Sequence, residues 1–165
     1  MNDVSNFEAV RVKRNEIKLV GIPFVGGRPY ADKGVSLFNV AKHSLLTAAE
    51  HFPGWINRDI VYAVLPSGEK QLPDTFSVIV AIEIENDEMV PEWFTKINIP
   101  PSEYGLVSDI PIADERQGYQ AMDRFFETSM RVPEMVYGHF EVNDANKPGF
   151  FELYTATRPL SSLRE

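Results

Sequence analysis

Thr75-Phe76-Ser77-Val78-Ile79-Val80-Ala81-Ile82-Glu83-Ile84-Glu85 is the stretch that decides the fold. Phe76, Val78, Val80, Ile82 and Ile84 alternate with Ser77, Ile79, Ala81, Glu83 and Glu85, the period of a strand whose two faces differ. The stretch has an echo. Phe76 returns as Phe151, and Val61-Tyr62-Ala63, which opens the preceding strand, returns as Val136-Tyr137-Gly138, 75 residues on in both cases. The order of elements repeats as well, strand, helix, strand, strand. A duplicated β-α-β-β unit is therefore expected, because neither half could bury both faces of its sheet alone.

Working outward, Ile17-Lys18-Leu19-Val20-Gly21-Ile22 reads as a strand ended by Pro23, and Gly26-Gly27-Arg28-Pro29 as a loop. Phe38, Ala41, Leu45, Ala48 and Phe52 recur at helical spacing until Pro53-Gly54. Residues 60–65 form a short apolar strand, and 86–94 a connector carrying Pro91 and Trp93. The second set begins with residues 97–99 and 104–108, broken by Pro100-Pro101. Asp114 and Gln117 have the spacing of a capping box, ahead of a helix burying Met122, Phe125, Phe126 and Met130 and ended by Pro133. Strands over 135–142 and 150–157 close the chain. The expected fold is α+β, with pseudo-twofold symmetry, two antiparallel-rich sheets and a central ligand cleft. The domain spans 16–160, in halves of about 16–88 and 95–159, between a flexible leader (1–15) and a tail (161–165).

Composition narrows the function. A formal charge of -8 argues against a nucleic-acid partner, since little here would release counterions from a polyanion. The densest basic stretch, Arg11, Lys13 and Arg14, lies in the leader, and no helix-turn-helix segment precedes Glu16. The absence of cysteine excludes disulfides, thiolate metal sites and cysteine nucleophiles. His43, His51 and His139 lack metal-ligand spacing, so neither a metal nor a cofactor is expected. There is no signal peptide and no apolar run of membrane-spanning length, which makes the expected location cytoplasmic, away from membranes. Aromatics make up 12% of the chain, enough to line a pocket as well as fill a core.

Four elements carry a family resemblance. Lys18-Leu19-Val20-Gly21-Ile22 resembles the opening "VxG" strand of the GyrI-like, or effector-binding, domains. Ile99-Pro100-Pro101-Ser102-Glu103-Tyr104-Gly105 is similar to their "IPxxxYA" element, Phe140-Glu141-Val142 to their "FEVY" strand, and Phe151-Glu152-Leu153-Tyr154-Thr155-Ala156 to their closing "IEIYxxV" strand. Asn143 stands where the tyrosine of "FEVY" is usual, so a pocket role is not carried over to that position. The resemblance covers residues 16–159 and implies a small-molecule cleft between two halves. It implies a stand-alone bacterial protein for xenobiotic or genotoxin protection that binds amphipathic, planar or cationic compounds. Two further activities occur in the family: hydrolysis of cyclopropane-bearing electrophiles, and protein interaction of the gyrase-modulator kind.

Alternation sends Phe151 and Leu153 to one face of the last strand and Glu152 and Tyr154 to the other. Glu152 then faces either solvent or the cleft, and the resemblance favours the cleft, where a partly desolvated acid would seek a cation, a donor or a proton. There it would be a counter-ion in a binding protein, or the catalytic base in a hydrolase, with Tyr154 as donor. Trp93 and Tyr154 are read as ligand-stacking rings. Tyr104, Tyr137, Trp55 and Tyr30 are read first as core, and second as cleft wall. Glu83 is the counterpart acid of the first half, or an exposed carboxylate beside Glu85. Glu103 and Glu115 are expected to be solvated.

Overall fold

A computed structural model describes residues 7–26, 32–65, 76–134 and 138–161. In chain order the first half contributes β2 (Ile17–Gly26), α1 (Asp32–Ala49), β3 (Ile60–Val64) and β4 (Phe76–Glu83). The second contributes β6 (Ser102–Pro111), α2 (Glu115–Thr128), β8 (His139–Asp144) and β9 (Phe150–Pro159). The duplicated β-α-β-β unit is thus realised. Three strands lie outside it: β1 (Val10–Arg14), β5 (Thr95–Ile99) and the short β7 (Arg131–Pro133).

The two expected sheets are joined edge to edge. β3 pairs with β8, and the order is β1-β6-β9-β8-β3-β4-β2-β5, with β7 on β9 and every pairing antiparallel. The register row Ile79, Val64, Phe140, Tyr154 crosses the junction. Ile79 and Tyr154 are separated by the 75 residues of the internal repeat, so the repeat seen in the sequence is carried by these flanking strands.

Val10–Arg14, which the sequence reading left inside a leader, is instead an edge strand. It pairs with β6 as β5 pairs with β2, so each half has a borrowed outer strand. Its alternation is weak in sequence because a charged edge has only one shielded face: Val12 packs inward while Arg11 and Lys13 point to water.

Both helices cover the same face. α1 lays Phe38, Leu45 and Ala49 on Val20, Val61, Ala63, Val80 and Ile82. α2 lays Ala121 and Met122, with the partly buried Phe125 and Phe126, on Val107, Ile110, Phe151 and Leu153. Burying each large aliphatic side chain contributes about 1.5–3 kcal/mol. Gly118 permits the close approach of α2, because a Cβ there would lie 2.5 Å from Ile110 Cδ1.

Two details of α2 differ from expectation. Asp114 precedes the helix but makes no side-chain capping hydrogen bond, because Ile112–Asp114 is a 3-10 turn leading into it. Met130 is 72% exposed and adopts φ 58, turning the chain into β7, so the helix stops well short of Pro133. Among the described residues, no helix is long and apolar enough to cross a membrane.

Candidate functional site

The face of the sheet away from the helices is laid out by strand alternation. On β3, Val61 and Ala63 turn to α1, so Tyr62 turns the other way. On β9, Phe151 and Leu153 turn to α2, leaving Glu152 and Tyr154 on the opposite side, as the alternation predicts. Phe140 and Val142 of β8 and Tyr104 of β6 join them.

These residues form an aromatic floor in which Tyr62, Tyr104 and Phe140 are buried and Tyr154 is half-buried. Phe140 stacks on Tyr154 (centroids 5.1 Å, planes 20° apart) and meets Tyr62 and Tyr104 at 5.5 and 5.6 Å. Tyr104 meets Tyr154 edge-on at 5.7 Å. Offset and edge contacts of this kind are the favoured geometries for ring quadrupoles. Three of the four rings come from the second half. The corresponding places of the first half hold Ile79 and Val64, so the site sits at the junction but leans toward β8 and β9.

Carboxylates flank the floor. Glu152 lies in the register row Ala81, Tyr62, Val142, Glu152, two strands from Tyr62, and receives a long hydrogen bond from Tyr154 Oη at 3.4 Å. Among the described residues it forms no ion pair within 4.0 Å. Lys147, held by Asp109 at 3.1 Å, is near enough to feel its charge. Glu83, on β4, accepts a hydrogen bond from Tyr62 Oη at 3.1 Å. β4 and β9 are three strand spacings apart, roughly 14 Å.

Between the acids lies Arg14, the last residue of β1. Its guanidinium carbon is 5.8 Å from the Tyr62 centroid and 5.3 Å from that of Tyr154. Its Nη2 donates to Tyr62 Oη at 3.0 Å and lies 3.8 Å from Glu83 Oε2. Burial pushes the Tyr62 hydroxyl up to about 12, because its anion would lose water and face Glu83, and Arg14 offsets this only in part. Desolvation, reinforced by Glu152, also raises Tyr154. Tyr104 is fully buried; burial raises its hydroxyl pKa, and the Ser102 side chain and the Arg14 charge oppose the rise.

The structure therefore brings together four of the sequence-derived candidates, Glu152, Tyr154, Tyr104 and Glu83. Tyr137 and Tyr30 lie outside the described residues. Trp93 is 83% exposed and tilts against Phe94, which packs in the α1 core, so it is not part of the floor. Trp55 likewise belongs to the α1 side, beneath Arg58. Glu103 is not a solvated acid. It accepts from Arg11 at 3.0 Å and from the buried Arg131 at 2.8 Å, tying β1, β6 and β7 together, and these cations lower its pKa, the Arg11 hydrogen bond most of all.

Sequence reasoning missed Tyr62, Phe140 and Arg14 as site residues. Tyr62 had a usable signal, since it stands between two residues that alternation sends to the helices. Arg14 had none, because its position depends on β1 pairing with β6, a partner 92 residues downstream of Arg11 in the chain.

Among the described residues no group of three His, Asp or Glu side chains could hold a metal ion. A separate hollow of about 560 Å3 lies on the helix side, between α1 and the β8–β9 turn, lined in part by Phe38, Lys42, Arg58 and Phe150.

No protein-family model matches the chain, and no curated protein matches it in sequence. Solved structures do. The C-terminal domain of EcmrR shares 10% identity at a TM-score of 0.68, covering 93% of this chain and 99% of that one. SAV2435 bound to tetraphenylphosphonium shares 12% at 0.58, covering 94% and 96%. A hydrolase encoded by lin2189 from Listeria innocua shares 12% at 0.51, covering 92% of each chain. At these identities the likeness concerns the fold alone.

Proposed function

We propose that this chain binds aromatic, amphipathic or cationic small molecules on the floor formed by Tyr62, Tyr104, Phe140 and Tyr154, with Glu152 as the principal counter-ion. The observation that carries this reading is the ring cluster itself: four packed rings, three of them buried, on the sheet face opposite α1 and α2, with a carboxylate at its margin that forms no ion pair among the described residues. Ring faces attract cations, and a partly desolvated carboxylate strengthens that attraction. Two further facts support it. The sequence motifs resemble the GyrI-like domains, and the similar SAV2435 fold holds a tetraphenyl cation. The role this fits is protection against xenobiotics. Calorimetric titration with tetraphenylphosphonium tests it. Saturable binding that Tyr154→Ala weakens is expected, and no heat up to millimolar ligand would end the proposal.

A second reading, hydrolysis of strained electrophiles, is favoured by one observation. Glu152 and Tyr154 Oη already share a hydrogen bond, which places a proton acceptor beside a donor. In that chemistry Glu152 would take a proton from water as its oxygen bonds to the strained ring carbon, the ring C–C bond would break, and its electron pair would pass to a conjugated carbonyl oxygen of the substrate that Tyr154 would steady. Mass spectrometry of cyclopropane-bearing substrates after incubation separates the readings. Turnover lost in Glu152→Gln supports hydrolysis, and intact substrate supports binding alone.

A further inference from the structure

Arg14 holds the position that a ligand cation would seek. Its guanidinium lies over two of the four rings, donates to the Tyr62 hydroxyl and faces Glu83. Its side chain is 26% exposed, so it is partly removed from water along with the rings beneath it. It reaches this place from an edge strand whose other charged residues, Arg11 and Lys13, turn away to Glu103. β1 is thus anchored by one set of charges and delivers a different one to the floor.

We infer that Arg14 is the resident cation of the aromatic site and its specificity-determining residue: an incoming organic cation binds only by displacing Arg14 from Tyr62 and Tyr154. This rests on the binding reading above. Displacement carries two consequences. Selectivity turns toward bulky cations, whose several aromatic groups replace more contacts than one guanidinium supplies. Arg14, once released, frees Glu83 as a second acid at the opposite margin from Glu152. Small cations such as guanidinium itself should compete poorly.

The test compares wild type, Arg14→Met and Arg14→Lys by calorimetry with tetraphenylphosphonium and with neutral triphenylphosphine oxide. Methionine keeps apolar length without charge, and lysine keeps charge without the planar fork. Met should bind the cation about tenfold tighter, the size expected when a like charge and its ring contacts are removed. Lys should stay near wild type, and the neutral compound, which must clear the same guanidinium from the rings but meets no charge repulsion, should gain less from Met than the cation does. A wild type that binds, with a Met variant of unchanged melting temperature that binds equally or more weakly, overturns the role of Arg14 and leaves the binding site standing. No binding by any of the three overturns both. A readout on the wild type alone guards against a poorly folded Met variant. In side-chain 15N spectra, the Arg14 Nε signal should move to the position of a solvated arginine when tetraphenylphosphonium saturates the protein, and a signal that stays in place at saturation refutes displacement.

Discussion

Replacing Glu152 by glutamine removes one charge and little else, and its effect can be worked from the site. Glu83 is already engaged by Arg14 and the Tyr62 hydroxyl, whereas Glu152 has one long hydrogen bond and a distant lysine. A ligand cation about 5 Å from Glu152 would gain about 3 kcal/mol at an effective dielectric of 20 and about 1 kcal/mol at that of water. Glu152 is half-buried, and solvent and salt screen part of the gain, so the expected loss for Glu152→Gln is about 1–2 kcal/mol. That corresponds to roughly a five- to thirtyfold weaker Kd for tetraphenylphosphonium. Neutral triphenylphosphine oxide should keep its affinity, since the shape of the site and its rings is unchanged. Raising salt should weaken the wild type more than the variant, because the lost interaction is the one that salt screens. Titration calorimetry with both ligands at two ionic strengths measures all of this. Equal loss for the charged and neutral ligands, or no loss for either, would show that Glu152 is a structural carboxylate and not the counter-ion.

Tyr154→Ala should cost about 1–3 kcal/mol of tetraphenylphosphonium affinity, since it removes the ring stacked on Phe140, while Trp93→Ala should change it less than twofold; competition titrations compare the two. Tyr62 should ionise near pH 12; its stabilising share is whole below pH 10 and is lost as the pH rises through 12, which absorbance near 295 nm with Tyr62→Phe as control can follow. His139, half-buried and bonded to Thr155 Oγ1 at 2.7 Å, is pushed down from 6.5 to about 4 by desolvation. Its contribution is therefore complete above pH 6.5 and declines as the pH falls toward 4, by about 3 kcal/mol at most. Urea unfolding of wild type and His139→Gln over that range should show a flatter profile for the variant, and parallel profiles would discount this histidine. Phe140→Ala, which deletes a fully buried ring touching three others, should destabilise by about 3–5 kcal/mol, read from the urea midpoint. A gel shift with duplex DNA should show no submicromolar complex at low salt, in keeping with the charge of -8.

The local pattern of the chain was enough to determine its repeated unit and the two sides of its strands. Alternation from Phe76 to Ile84 and from Phe151 to Tyr154 needs only the period of an extended backbone, so the sequence alone places Glu152 and Tyr154 on one side and Phe151 and Leu153 on the other. The helical spacing of Phe38 and Leu45 is local in the same sense. Pairing is not local. That β3 meets β8, fusing two sheets into one, depends on the pairing of edges far apart in the chain. So does the arrival of Tyr62 beside Phe140 and Tyr154, three residues separated by 78 and 14 positions in the chain. Trp93 looked isolated among polar neighbours, but nothing in its own segment says which ring it will lean on. Arg14 shows the limit most clearly. Its neighbours in sequence read as a charged leader, and its place over the aromatic floor comes from β1 completing the edge of a sheet made by residues 102–111. Backbone hydrogen bonds left open on that edge, with Glu103 waiting for Arg11, decide where the cation goes, and those partners exist only once the chain has folded.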